Sequence, residues 1–157
     1  MRLSDCWFTA IAESETGGKT IFVSGRYDID SFRLSGKFRE RAEVTWHYDA
    51  NAAGMPDDET AKLMEEVMEC LKRAMEKNKL SILTGVYTGA GERNMVFYTR
   101  NVPAFGNTLN EALKDFDLLP ITIYTEKDEE WNEYAEMSLL RTQDSEGDDG
   151  EMLDEQE

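Results

Sequence analysis

The side chains that most often carry chemistry are scarce in this sequence. It has one histidine, His47, and two cysteines, Cys6 and Cys70, which form no CxxC pair. One histidine excludes metal sites built from several histidines, and a hydrolytic triad would depend on His47 as its base. Nothing in the spacing brings a cysteine to His47. We therefore expect two buried, reduced thiols, and we assign no catalytic residue, metal or cofactor.

Arginine and tyrosine side chains beside a glycine-rich turn are candidates for ligand binding. The turn Thr88–Arg93 superficially resembles a phosphate-binding loop, but it lacks the lysine of a P-loop and a strand follows it. We reject that interpretation. Arg93 and Arg100 flank the strand after the turn and could hold an anionic ligand, although pairing with surface carboxylates is the commoner role. With His47 and Tyr98 they form the set of candidate binding residues.

Acidic residues dominate the charge of the chain. There are 33 acidic and 17 basic residues, giving a formal charge of −16, and eight of the acids follow Arg141. Phosphate contacts need Lys and Arg, so this balance argues against nucleic acids and anionic membranes. It permits a basic protein partner, and it is equally explained by solubility alone. The cluster Glu126–Glu130 would do acid–base work only inside a desolvating cleft.

The length and the charge pattern predict one folded domain. Residues 1–141 have the composition of a globular unit, whereas residues 142–157 form an acidic, low-complexity tail with few apolar residues. The N-terminal segment lacks the apolar core of a signal peptide, and no run is long enough to span a bilayer. A cytoplasmic location is therefore predicted.

Six stretches have the composition of β-strands. The third alternates clearly, with Val44 and Trp46 on one face and Glu43, Thr45 and His47 on the other, which predicts one covered and one wetter side of a sheet. Pro120 removes a ladder donor at the start of the last strand and favours an edge position. The predicted strands are Cys6–Glu13, Lys19–Arg26, Arg39–Tyr48, Leu80–Tyr87, Arg93–Arg100 and Ile121–Glu126.

Helical spacing marks three further segments. The strongest helix is capped by Asp57 or Asp58 and runs to about Lys77, with a methionine-rich stripe that we assign to the core. A second helix, Thr108–Phe116, follows a loop containing Pro103 and Gly106 and has Thr108 as its cap and Glu111 as the capping-box partner. Residues 128–137 are predicted to form a short helix, and residues 27–38 an ordered loop with one helical turn.

From Arg39 onward the order is strand, helix, strand, strand, helix, strand. This is the split βαβ pattern, and it predicts an α+β, ferredoxin-like sandwich. Two helices would cover one face of a mainly antiparallel sheet. The N-terminal β-hairpin would extend one edge.

Four segments together resemble the bacterial domain of unknown function family 695. They are VTWHYDANAAGMP, LTGVYTGAGERNMVFYTRN, LNEALKDFDLLPITIY and EKDEEWNEYAEM, and the resemblance covers about Trp7 to Met137. The family implies no activity and no catalytic residues. More distantly, the size, acidity and element order are similar to those of the regulator of ribonuclease E activity B, a protein inhibitor that binds an enzyme.

Three functions are compatible with these features. The leading hypothesis is a non-enzymatic, cytosolic protein-binding or regulatory module, because no catalytic constellation is evident and the body of the protein is acidic. The alternative is a small-ligand-binding domain or cryptic enzyme whose pocket, near the central hairpin, would bring His47, Arg93 and Tyr98 together. In a third hypothesis the acidic tail is the functional part.

Overall fold

The structure, a computed structural model, describes residues 3–13 and 19–148. Within these residues, six antiparallel strands form one sheet in the order β1-β2-β4-β5-β3-β6. All six predicted strands are present, each within two residues of its predicted ends. They are β1 (Cys6–Glu13), β2 (Thr20–Tyr27), β3 (Glu40–His47), β4 (Ser81–Gly89), β5 (Glu92–Thr99) and β6 (Ile121–Lys127).

The strand order shows how the chain is wound. β3 and β4 both flank β5 antiparallel to it, so the helix between them makes a crossover between two parallel, non-adjacent strands. The N-terminal hairpin joins the sheet beside β4, and β6 forms the opposite edge, as Pro120 predicted. The α+β class is confirmed.

The central hairpin turns through two residues. Ala90 and Gly91 have φ angles of 54° and 85°, and Gly89 pairs with Glu92 at the ends of β4 and β5. Positive φ at both central positions is the geometry whose twist matches that of two antiparallel strands. The glycine-rich turn is therefore a structural link between strands.

The described residues also contain four helices, and the last two, α3 and α4, differ from their predicted bounds. They are α1 (Asp30–Leu34), α2 (Asp58–Glu76), α3 (Val102–Ala112) and α4 (Asn132–Asp148). The cap of α2 is Asp57, as expected, since its carboxylate accepts from the N–H of Thr60. The predicted loop before Thr108 was wrong: α3 begins six residues earlier, and its cap is the Asn101 side chain, which accepts from the Ala104 N–H. Pro103 lies in the first turn, where the missing N–H costs nothing.

Helices cover both faces of the sheet. One face packs against α2 and α3 around a core that includes Trp46, Met64, Met75 and Phe97. Two helices therefore cover one face, as expected. The other face carries a second core under α1 and α4, which was not predicted. That second core includes Phe32, Tyr98, Trp131, Tyr134 and Met137.

The second face is covered only in part. Helix α4 packs over β1, β2 and β4. It leaves much of β3 and β6 open, and there Thr45 is half-buried and His47 exposed, so the wetter side predicted for β3 is confirmed. Cys6 and Cys70 are free and half-buried, not fully buried as expected. The backbone of α4 continues to Asp148, into the predicted tail, while residues 149–157 lie outside the described residues.

Candidate functional site

Two of the four predicted binding residues lie on opposite faces of the sheet. Exposed His47 hydrogen-bonds through Nε2 to Thr122 Oγ1 at 3.2 Å on the open face. Arg93 pairs across the strands with Trp46, and therefore lies on the α2 face. Its guanidinium contacts a carboxylate oxygen of Glu65 on α2 at 2.8 Å. His47 and Arg93 therefore do not share a pocket.

Tyr98 and Arg100 occupy two further environments. The buried Tyr98 hydroxyl donates to Asp128 Oδ2 at 2.8 Å, and its ring stacks on Trp131 with 4.2 Å between centroids. Burial, followed by the hydrogen bond to Asp128, raises the pKa of Tyr98. Arg100 lies at the end of the sheet, with its guanidinium 4.9 Å from the centroid of the Phe38 ring. The structure thus places Tyr98 in the core and does not bring the four residues together.

The acidic cluster after β6 has a structural role. Arg41 donates to Asp128, Glu43 and Glu126 at distances of 2.8, 2.7 and 3.1 Å. Asp128 also caps α4, accepting from the Asn132 N–H at 2.8 Å. Burial alone would raise the pKa of Asp128, but these hydrogen bonds outweigh burial and hold it below 3.8. Asp128 is therefore ionised and bound at neutral pH.

Glu133 is the carboxylate in this region with a disturbed environment. Its Oε2 accepts from the Tyr87 hydroxyl at 2.5 Å, whereas its buried Oε1 has no hydrogen-bond partner in the part of the chain that the structure describes. Burial raises the pKa of Glu133, and the nearby Glu43 charge acts in the same direction. The folded protein therefore holds a proton on Glu133 at pH values where the unfolded chain has lost it.

Glu133→Gln should remove one component of the pH dependence of stability. In the natural chain this group stabilises the fold below its ordinary pKa of 4.5, and the stabilisation is lost as pH rises through the higher folded value. The variant keeps an acceptor for Tyr87 without the charge, so its stability relative to the natural chain should increase with pH over that window. Urea unfolding from pH 4.5 to neutrality measures this difference, with exposed Glu130→Gln as the control. Parallel profiles for the natural chain and Glu133→Gln would contradict it.

An exposed apolar surface at the β6 edge is the strongest candidate for binding. Among the described residues, three of the seven exposed large hydrophobic side chains fall within residues 118–124. Leu118 is fully exposed, and Ile123 and Tyr124 are about half exposed. Leu118 and Ile123 adjoin one groove, whereas Tyr124, opposite Glu43 of β3, lies on the other face of the edge strand. Exposed apolar side chains beside a groove mark an interaction site more reliably than single exposed residues do.

A groove of about 470 Å³ lies between α3 and β6. Its walls are mainly apolar because α3 ends at Ala112 and does not cover the strand. Lys114 and Asp117 lie at its rim, and Lys114 Nζ is already 2.6 Å from Glu111 Oε2. We call this groove, together with Leu118, Ile123 and Tyr124, the β6 surface. The apolar groove residues are Leu109, Leu113, Phe116, Leu118, Leu119, Ile121 and Ile123.

The backbone of β6 also offers hydrogen-bonding groups. The carbonyl of Pro120 accepts from the His47 N–H at 2.9 Å, and the N–H of Asp128 donates to the Arg39 carbonyl at 2.8 Å. Hydrogen-bonded pairs recur at every second residue of an antiparallel ladder. Ile123 and Thr125 lie between those positions, so their backbone N–H and C=O groups point away from β3.

The β6 surface was missed as a binding site, although the sequence contained a signal for it. Pro120 predicted an edge strand, and Ile121 and Ile123 alternate with polar residues after it. An edge strand with apolar side chains is a template for pairing with another chain. What the pattern did not show is that α3 ends before it could cover these residues.

A family model described as a family of unknown function (DUF695) matches residues 7–138. The chain belongs to DUF695. The match includes the whole β6 surface and nearly all of the described sheet. No curated protein and no solved structure matches the chain. Membership in DUF695 supports the family resemblance and assigns no activity to this DUF695 chain.

Within residues 3–13 and 19–141, no group of three or more His, Cys, Asp or Glu side chains is placed to hold a metal ion. None of the helices in the described part of this DUF695 chain has both the length and the apolar character needed to cross a membrane.

Proposed function

We propose that this DUF695 chain is a non-enzymatic protein-binding or regulatory module that binds an extended segment of a basic partner by strand addition to β6. The observation that carries the proposal is the exposure of β6: six of its seven residues are exposed, beside an apolar groove. Strand addition takes affinity from main-chain hydrogen bonds and specificity from pockets for alternate side chains. The β6 surface offers both.

The bound segment would contact both the outward backbone groups of β6 and the apolar groove. Its backbone would pair with the outward groups of Ile123 and Thr125. Every second side chain would then enter the groove between α3 and β6, where Leu118 and Phe116 present apolar contacts. Apolar residues alternating with basic ones fit this surface, because exposed Glu126 binds Arg41 through Oε1 and keeps Oε2 as an acceptor for a basic side chain.

The charge of the chain favours a foreign, basic occupant over a second copy. At a formal charge of −16, two copies repel one another, whereas a basic segment is attracted and its encounter is accelerated. The proposal also includes the ferredoxin-like fold and the similarity to the regulator of ribonuclease E activity B. The strand order β6-β3-β5-β4 with crossovers at α2 and α3 supports the first, and the acidic charge supports the second.

The test uses the chain as bait in lysate of the source cell. Thr125→Pro removes an outward N–H of β6 without removing a bond to β3, and proline is tolerated on edge strands. We expect a stoichiometric basic partner whose capture falls roughly tenfold with Thr125→Pro and also falls at high salt. The control is Ile11→Ser, which changes an exposed apolar residue on the opposite edge strand, β1.

Three results would count against the proposal. One is a partner captured equally well by the natural chain and Thr125→Pro, which would place the contact elsewhere. Another is a bait that recovers no stoichiometric partner at either salt concentration. Equal loss with Thr125→Pro and Ile11→Ser would also count against β6, because both edges would then be involved.

A cavity beside the central hairpin makes small-ligand binding or cryptic catalysis the second candidate. A space of about 340 Å³ lies between α2 and the N-terminal half of the sheet, lined in part by Trp7, Lys72 and Arg93. Both cations already have partners, since Arg93 pairs with Glu65 and Lys72 lies 3.3 Å from Asp5. A metabolite thermal-shift screen tests this candidate, and a shift abolished by Arg93→Gln would support it.

A further inference from the structure

A group of four cations meets at one end of the sheet. Lys37, Arg39, Arg100 and Lys127 line a shallow cavity of about 500 Å³, and Glu40 is the one carboxylate among its lining residues. The formal charge around the cavity is therefore positive by three, in a chain whose total is −16. This local positive charge contrasts with the negative charge of the chain as a whole.

The register of the sheet produces this grouping. Glu40 pairs with Thr99 of β5 on one side and with Lys127 of β6 on the other. One step further along the antiparallel ladder, Arg39 lies opposite Arg100. Arg39 and Arg100 therefore share one face at the end of the sheet, whereas Lys127, opposite Glu40, alternates to the other face. The cavity spans this end of the sheet, and Lys37 is added by the loop that leads into β3.

Two of these side chains are held by contacts that leave donors available. Arg39 Nε donates to the Gly36 carbonyl at 3.1 Å, which leaves its terminal nitrogens for a ligand. The Arg100 guanidinium packs over the buried Phe38 ring, and its N–H groups lie around the edge of that plane. Among the described side chains, Arg39, Arg100 and Lys37 have no ion pair with a carboxylate, whereas Lys127 Nζ lies 3.6 Å from Glu129 Oε2.

We propose that the Lys37–Arg39–Arg100–Lys127 cavity binds a small anion carrying linked phosphate groups. Two guanidinium groups can each make paired hydrogen bonds to phosphate oxygens, and two ammonium groups add charge without fixed geometry. A diphosphate or triphosphate group carries a charge similar in size to the local excess. This site lies apart from the apolar groove of the β6 surface, so either proposal can fail alone.

Isothermal titration with pyrophosphate tests the site on the full chain at low salt. We expect saturable binding of one pyrophosphate per chain, weakened about fivefold by Arg100→Gln and at least tenfold by Arg39→Gln with Arg100→Gln. Exposed Lys62→Gln on α2 removes the same charge elsewhere and should leave binding unchanged. Citrate, an anion of comparable charge without phosphate geometry, should bind several-fold more weakly.

Three titration results would contradict the phosphate site. Absence of saturable pyrophosphate binding to the natural chain would overturn the proposal. So would equal weakening by Arg100→Gln and Lys62→Gln, because the effect would then come from net charge. Equal affinity for citrate and pyrophosphate would show an unselective cationic patch. Capture of the protein partner by Arg100→Gln should remain at the natural level.

Discussion

Replacing Arg26 by methionine is expected to lower the free energy of unfolding by about 3–5 kcal/mol, the usual cost of breaking a buried ion pair from one side. Arg26 is 1% exposed, and its Nη1 donates to Glu76 Oε2 at 2.8 Å and to the Leu83 carbonyl at 2.9 Å. Its Nε donates to the Ser4 carbonyl at 2.9 Å. One side chain thus connects β2, β4, α2 and the segment before β1.

The large cost comes from the partner that remains. The Glu76 side chain is only 12% exposed, and without Arg26 its charge would keep a single neutral donor, the Leu83 N–H at 3.0 Å. Arg26→Met combined with Glu76→Gln should therefore recover part of the loss, giving a clear coupling energy in a double-mutant cycle. Urea unfolding of the four proteins measures it.

The exposed pair Arg33–Asp30 supplies the control for Arg26. These side chains lie 3.5 Å apart with exposures of 35% and 72%, so Arg33→Met should cost less than about 1 kcal/mol. If Arg26→Met were as mild as Arg33→Met, the buried network would contribute nothing beyond a surface pair. That result would contradict the prediction.

Truncating Trp131 to alanine is expected to cost about 3–5 kcal/mol, as is usual for a large buried aromatic residue. Trp131 is 1% exposed, stacks on Tyr98, and meets the edge of Tyr134 with centroids 5.4 Å apart. Its indole N–H donates to the Phe38 carbonyl at 2.7 Å, which holds the loop before β3 against the start of α4. Thermal and urea unfolding measure the loss.

A conservative change at Trp131 separates packing from hydrogen bonding. Trp131→Phe keeps an aromatic ring but leaves the buried Phe38 carbonyl without its donor, so we expect a smaller loss of about 1–3 kcal/mol. Trp7→Phe is the matched control, because the Trp7 indole donates only to an exposed oxygen of Asp5. Equal losses at Trp7 and Trp131 would show that burial of the second core contributes little.

Local patterns predicted the elements of this fold well. The alternation around Trp46 identified the buried face of β3, and Asp57 marked the start of α2. Pro103 misled the prediction of α3, because proline marks a loop in most contexts yet is favourable in the first turn of a helix. Pro103 lies in the first turn because the Asn101 side chain caps α3. That hydrogen bond depends on the backbone geometry at Asn101, which the sequence pattern does not show.

The candidate sites depended on the register in which the strands pair, which a single strand's sequence does not show. His47 and Arg93 are both near strand ends in the sequence, but the pairing of Trp46 with Arg93 places the two side chains on opposite faces. A register shift of one residue would have reversed that outcome. The meeting of Arg39 with Arg100 depends on the same register. The sequence identified Arg100 as a candidate for binding an anionic ligand, but it did not show that Arg39 lies beside it.

The described sheet has unpaired strands at both ends, β1 and β6, and this has a consequence for self-recognition. Joining β1 of one copy to β6 of the next would be a head-to-tail contact, which builds a ring if its rotation closes and a filament if it does not. The charge of −16 makes every such addition costlier than the last. If β6 binds a basic segment as proposed, the charge that opposes addition of a second copy favours addition of that segment.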